Sequence, residues 1–359
     1  MSASWKFDVV DLNGNPLTEG GLTLATNIEL NFQMTQPNTF TCSLPLTAPE
    51  AQLILSDLTL PFVKGYRTPS GGNPDTDQVL QFYGPVWVDQ VIGQNGIDQL
   101  MIGAFEPTII LNKRYALNNY AASDLGAIIK SEIDRTNTTD GETGIRTNSG
   151  NISASSSIDL INGGNTPTIQ SLIEQFANQL DGCEIWTVPI ELSSGKICDL
   201  YASSSRGSSS DVVFGYGDTS YANCSAMGRT RDKSKMVNVV NGYTDTLTSQ
   251  KSDATSVAEF RALVEYMSFT GETTQSALDA RAQGRLDNLS TPSAVAEYSC
   301  SPVGGDAAPQ FFDDFGIGDD VYLHFVKGIE WGISQRVFST KIGISQGGVE
   351  NVTAIGFRP

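Results

Sequence analysis

Two stretches decide how this chain is read: VWVDQVIGQNGIDQLMIGAF (residues 86–105) and VFSTKIGISQGGVENVTAIGF (residues 337–357). Each alternates apolar and polar residues on both sides of a glycine-bearing turn, and in the first Asn95-Gly96 supplies two residues that tolerate positive φ, the strongest short-range hairpin signal. Aligning Gly96 with Gly348 sets Ile97 on Val349, Asp98 on Glu350, Leu100 on Val352 and Phe105 on Phe357. Upstream, Val86-Trp87 meets Val337-Phe338 if one residue is inserted in the turn. Turn chemistry and the pleat make any two hairpins look partly alike. The context favours duplication, because each hairpin closes a β-rich segment and a helical stretch separates them. Two similar small barrels or sandwiches, each finished by a long hairpin, are the expected result.

Around the first hairpin, Ile28, Leu30, Phe32 and Met34 alternate with polar neighbours, TFTCSLPL from Thr39 repeats the pattern, and Gly84-Pro85 interrupts a longer strand where a bulge or edge is expected. The period then changes to that of helices. Leu125, Ile128, Ile129 and Ile133 form one stripe behind a cap at Ser123 or Asp124. Ile169, Leu172, Ile173, Phe176 and Leu180 form a second stripe, introduced by Thr166 and Thr168 and closed by Gly182. A hairpin turning at Ser194-Gly195 follows, then a strand from Met236 and two helical patches, one around Val257, Phe260, Leu263 and Val264, the other around Ala277, Leu278, Ala282 and Leu286. Val321, Leu323 and Phe325 resume the strand period, and after a Lys327-Gly328 turn Ile329, Trp331 and Ile333 continue it. The expected fold class is α+β, mostly β, divided as a first β domain over 1–118, a central α+β insert over 119–235 and a second β domain with helices over 236–359.

At 359 residues the chain exceeds what one hydrophobic core usually serves. Forty acidic against 22 basic residues give a formal charge of −18, which repels phosphate backbones and argues against sequence-specific nucleic-acid binding. It leaves room for a protein past which DNA slides without sticking. The N-terminus lacks the basic start and apolar core of a secretory signal, and no apolar run approaches the roughly 18 residues that span a bilayer, so a soluble chain is expected. Cys42, Cys183, Cys198, Cys224 and Cys300 are odd in number and irregularly spaced, which predicts reduced thiols in a cytosol rather than a disulfide framework or a structural zinc site.

No catalytic, cofactor or metal site emerges. The single histidine, His324, stands in an alternating strand, and neither HExxH nor a GxGxxG phosphate loop is present. The acidic pairs Asp75/Asp77, Asp313/Asp314 and Asp319/Asp320 lack EF-hand spacing and read as turn residues. Trp5, Trp87, Trp186 and Trp331 could line a sugar groove. Three of them fall in predicted strands, where burial is the ordinary fate of the ring.

The order of parts, FYGPVWVDQVIGQNGIDQLMIGAFEP, ASDLGAIIKSEID, TIQSLIEQFANQLDGCEIW, DKSKMVNVVNGY and FGIGDDVYLHFVKGIEWGISQRVFST, resembles the tail-hub (minor tail) proteins of long-tailed, non-contractile bacteriophages. The resemblance covers nearly the whole chain through motifs that are weak singly and informative in sequence. It implies two β-barrel domains related to the tail-tube subunit, a homotrimer whose six barrels match a sixfold tube, and a place at the tail tip of a virion assembled in the host cytoplasm. Implied partners are the distal tail or tail tube protein, the tape measure protein and tail-tip or fibre proteins, with DNA passing through the lumen unbound. The candidate ring interface is the duplicated hairpin: Val86, Trp87, Gly96, Asp98, Phe105, Val337, Phe338, Gly348, Glu350 and Phe357. A distal tail or upper-baseplate ring protein, normally with a single tube-like barrel, and a carbohydrate-binding tail protein are the competing readings.

Overall fold

A computed structural model describes residues 3–17, 20–56, 60–94, 97–153, 157–160, 166–177, 183–193, 195–218, 220–269, 272, 274–293, 295–304 and 308–358. The chain opens with β1 (Ser4–Val10), β2 (Thr26–Gln33), β3 (Thr39–Pro45), α1 (Pro49–Ser56), β4 (Phe62–Thr68), β5 (Val79–Gln94) and β6 (Ile97–Phe105). Next come β7 (Tyr120–Asp124), α2 (Leu125–Thr139), β8 (Ile145–Ile152), β9 (Ser157–Leu160), α3 (Ile169–Ala177), β10 (Glu184–Ser193) and β11 (Lys196–Ser203). The last part holds β12 (Ser209–Gly217), β13 (Cys224–Arg231), β14 (Val239–Tyr243), β15 (Thr248–Ser252), α4 (Ala254–Phe260), β16 (Val264–Ser268) and α5 (Gln275–Asp287). It ends with β17 (Ala296–Pro302), β18 (Asp320–Lys327), β19 (Ile329–Ile344) and β20 (Glu350–Arg358). The fold is α+β and mostly β, and no helix among the described residues is long and apolar enough to cross a membrane.

Twelve strands form one large sheet, and its connectivity repeats. The first six strands lie in the order β1-β4-β5-β6-β3-β2, and the other six in the order β12-β18-β19-β20-β17-β13. Numbered within each half, both orders are first, fourth, fifth, sixth, third, second. Every neighbouring pair is antiparallel in both halves except the first, where β1 runs antiparallel to β4 but β12 runs parallel to β18. The halves join where β2 pairs with the outer edge of β19, from Gln33 opposite Ser339 to Ile28 opposite Ile344.

Each half folds over an apolar interior. Phe7 on β1 meets Phe40 on β3 with ring centroids 4.8 Å apart although three strands separate them in sheet order, so the sheet curls back on itself. Phe214 on β12 reaches Phe357 on β20 at 6.0 Å in the same manner. The two interiors merge into one buried cluster that includes Leu30, Phe40, Leu100, Ile342 and Ile355. Each such side chain contributes roughly 1.5–3 kcal/mol relative to exposure.

The helical part between the halves has its own core, where Ile128, Ile129 and Ile133 of α2 pack with Leu172, Ile173 and Phe176 of α3 and with Leu200 of β11. Asp124, one of the two caps expected, accepts a hydrogen bond from the Ala127 amide at 3.1 Å, and Thr168 Oγ1 accepts one from Ser171. Leu180, Gly182 and Ser194 lie outside the described residues. The range 119–235 expected for the insert also contains β12 and β13, which belong to the large sheet. The patch from Val257 to Val264 is not one helix: α4 stops at Phe260, Arg261 has φ +66°, and Val264 begins β16.

Candidate functional site

The two hairpins expected from sequence are β5–β6 and β19–β20. Their long strands β5 and β19 each span 16 residues and each changes partner midway. Val79–Pro85 pairs with β4 and Val86–Gln94 with β6; Ile329–Arg336 pairs with β18 and Arg336–Ile344 with β20. The interruption expected at Gly84-Pro85 is this handover. A Cβ on Gly84 would fall 2.1 Å from the Phe105 carbonyl oxygen, so only glycine lets β6 leave there.

A bulge follows at the same place in both hairpins. The ladder skips Trp87 between Val86 and Val88, and it skips Phe338 between Val337 and Ser339. Val86 and Val337 are therefore equivalent, and pairing carries the equivalence across each sheet: Ala104 with Phe357, Gly103 with Gly356, Ile102 with Ile355, then Phe40 with Tyr298 and Cys42 with Cys300. The ungapped sequence alignment holds from Asp98/Glu350 to Leu100/Val352 and then slips by one, because Thr353 is an extra bulged residue between Val352 and Ala354. Phe357 consequently matches Ala104 and not Phe105.

The ten candidate residues meet different fates. Val86, Val337 and Phe357 are buried in the core. Glu350 is also buried, accepting hydrogen bonds from Trp5 Nε1 at 2.7 Å and Arg67 Nε at 2.8 Å. Arg67, 2% exposed, spends its other two nitrogens on Asp313 at 2.8 and 2.9 Å, so one guanidinium ties β4 to β20 and to the Phe311–Phe315 loop. Those hydrogen bonds hold the Asp313 carboxyl below its ordinary pKa. Gly348 has φ +79°, and its carbonyl accepts the Trp5 amide at 2.8 Å. Phe338 and Phe105 are half-buried, and the Arg358 guanidinium lies 3.7 Å from the Phe338 ring centroid. Trp87 and Asp98 remain at the surface. Gly96, with Asn95, lies outside the described residues. The hairpins are not side by side, because β3 and β2 lie between β6 and β19.

The largest contrast concerns the outer edge of each long strand. On β19 that edge is covered by β2, and Ile342 is 0% exposed. On β5 beyond Val86 no partner except β6 occurs among the described residues, and Trp87, Val88 and Val91 are 48, 50 and 53% exposed. The tryptophans thus reverse expectation: Trp5, outside the predicted strands, is buried, and Trp87, inside one, is not.

Elsewhere the charges serve the frame. Glu106, at the end of β6, is buried and its carboxyl is raised by desolvation, against hydrogen bonds from Asn38 and from Thr187 of β10. Arg336 of β19 forks onto Glu184 of β10, and burial lowers nearby Arg206 to about 10 despite Glu106 and Glu184. A cleft of about 350 Å³ beside this network is lined by Met34, Glu184, Lys235, Arg336, Phe338 and Arg358, with Arg336 paired to Glu184 and Lys235 to Glu297. His324 is half-buried, 3.3 Å from Glu330. Asp77, Asp314 and Asp319 accept backbone amides of their own turns. All five cysteines are buried thiols outside any disulfide. Among the described residues no group of three or more His, Cys, Asp or Glu is placed to hold a metal ion.

No family model matches this chain, and no curated protein does. Solved structures match along its length. A tail protein from Neisseria meningitidis MC58 superposes with a TM-score of 0.58 at 12% identity, covering 99% of this chain and 97% of that one. A 43 kDa tail protein of prophage MuSo2 from Shewanella oneidensis gives 0.58 at 12% identity over 98% and 97%. A prophage tail protein from Listeria monocytogenes EGD-e gives 0.54 at 12% identity over 98% and 94%. At such identity the likeness is one of fold, and the fold of this chain is that of phage tail proteins.

Proposed function

We propose that this chain is a structural protein of a phage tail, without enzymatic activity, that forms a three-membered ring at the tail tip and adapts a sixfold tail tube to a threefold end. The observation that carries this reading is the repeated strand order. A chain holding the same six-strand arrangement twice offers six kindred modules per three copies, and heterologous contacts whose rotation closes give rings. The ring partners would be the tail tube or distal tail protein on one face and tail-tip proteins on the other, with the tape measure protein and then DNA passing through. A formal charge of −18 suits a lumen that DNA crosses without binding. The doubled arrangement fits a distal tail protein with a single tube-like barrel less well. Native mass spectrometry and negative-stain images of the purified chain test the reading. A trimer with six lobes is the expected result, and a single chain at every concentration overturns it.

A further inference from the structure

We propose that, in the ring just described, β13 of one copy adds antiparallel to the open outer edge of β5 in the next, in the register that β2 and β19 already use inside the chain. The inference rests on the ring reading and goes further by assigning the surfaces that close it.

Inside the chain, the last strand in the order of the first half, β2, covers the outer edge of β19. By strand order β13 is the counterpart of β2, and β5 is the counterpart of β19. Both counterparts are unpaired on the corresponding side: among the described residues β13 pairs only with β17, and β5 beyond Val86 only with β6. One chain therefore carries one used junction and the two separate halves of a second. An open edge bearing Trp87, Val88 and Val91 is the kind of surface that proteins cover.

The equivalences fix the register. The shared bulge makes Asp89 equivalent to Thr340, Gln90 to Lys341 and Val91 to Ile342. The pairing of Phe40 with Leu30, and of Tyr298 with Arg229, makes Arg229 equivalent to Leu30, Thr230 to Asn31 and Arg231 to Phe32. Since Thr340 faces Phe32, Lys341 faces Asn31 and Ile342 faces Leu30, Asp89 of one copy faces Arg231 of the next, Gln90 faces Thr230, and Val91 lies against the stem of Arg229. Neither Asp89 nor Arg231 has an ion-pair partner among the described residues. The transferred register thus sets an acid opposite a base. Because each copy offers one edge of each kind, addition runs head to tail and repeats the in-chain junction between copies.

Two cysteine pairs test the register in the full chain, Asp89→Cys with Arg231→Cys and Gln90→Cys with Thr230→Cys. Residues directly opposite in antiparallel strands have Cα atoms about 4.5–5.5 Å apart, within disulfide reach, and the two pairs sample both alternating positions. The native thiols are all buried. Oxidation is expected to give a covalent trimer on denaturing gels from at least one pair and none from the single variants. A second arm reverses charge: Asp89→Arg should weaken assembly by about tenfold or more, and adding Arg231→Asp should restore it. A trimer by native mass that cross-links at neither pair and ignores the reversal overturns this interface and leaves the ring standing. A single chain by native mass at all concentrations overturns the ring reading itself.

Discussion

The strands β5 and β19 are alike in length, midway change of partner and bulge, yet one is covered and the other bare. Ile342 on β19 is sealed by β2, whereas the equivalent Val91 on β5 faces solvent. Burial here is decided by what the rest of the chain lays across a strand, not by the local pattern. A hairpin that reads as core from its sequence is half core and half unfilled edge.

The strongest way to loosen one half from the other is to remove Arg67, which ties β4 to β20 and to the Phe311–Phe315 loop. Arg67→Met leaves Glu350 buried without its cation and releases Asp313, and should cost about 3–5 kcal/mol in denaturant unfolding. Because Arg67 holds the Asp313 carboxyl down, its share of stability is present above the unfolded carboxylate pKa of about 3.9 and fades as pH falls through the lower folded value. A melt unchanged by Arg67→Met would show that the aromatic and ladder contacts hold the halves together alone.

Equivalent truncations sharpen the contrast. Ile342→Ala should cost about 2–5 kcal/mol and Val91→Ala within about 0.5 kcal/mol in the isolated chain, read from urea midpoints at dilute concentration. Equal effects would mean that the β5 edge is covered by something in the single chain.

At the turn of the second hairpin, Gly348→Ala adds a Cβ 2.6 Å from the Trp5 carbonyl oxygen at φ +79°, and should cost well over the roughly 1 kcal/mol expected for Gly195→Ala, whose Cβ meets nothing at a similar φ. Thermal melts of the two variants make the comparison.

A smaller effect concerns pH. Burial raises Glu106, so the folded chain keeps a proton that the unfolded chain gives up, and stability falls as pH rises from the unfolded value of about 4.3 through the raised folded one. Glu106→Gln keeps an acceptor for Asn38 and should flatten that slope in urea titrations above pH 4. An unchanged slope would mean that Glu106 titrates normally. Smallest of all, Lys341→Ala at the exposed Glu29 pair should cost no more than about 1 kcal/mol.

The hairpins, α2 and α3 were legible because burial on one face stamps a period on the sequence. β12 and β13 were not: SSDVVFGYG and CSAMGRTR are rich in Ser, Gly and Arg, and β13 is exposed along most of its length, so the ladder and not side-chain burial places it. A signal for the duplication was nonetheless present at FTCS (residues 40–43) and YSCS (residues 298–301), which occupy the same sheet position. The slip after Leu100/Val352 also left a mark that the ungapped alignment passes over: Ile102-Gly103 and Ile355-Gly356 align only when Thr353 is skipped, and the buried Val352 and Ile355 stand three residues apart where unbroken alternation would give two. The bareness of Trp87 and Val91 is a property of the whole sheet and is written in neither strand.

The reversed direction of β12 leaves the interior of its half unchanged. Phe7 sits opposite Gly65 on β4, and Phe214 opposite Leu323 on β18; Gly65 and Leu323 are themselves equivalent, so both phenylalanines fill one location although their strands run in opposite senses. A pleated segment shows the same alternate faces read forwards or backwards. The likeness of the two halves is therefore carried by which slot an aromatic ring plugs and not by chain polarity, and a border strand of either sense can close the same interior.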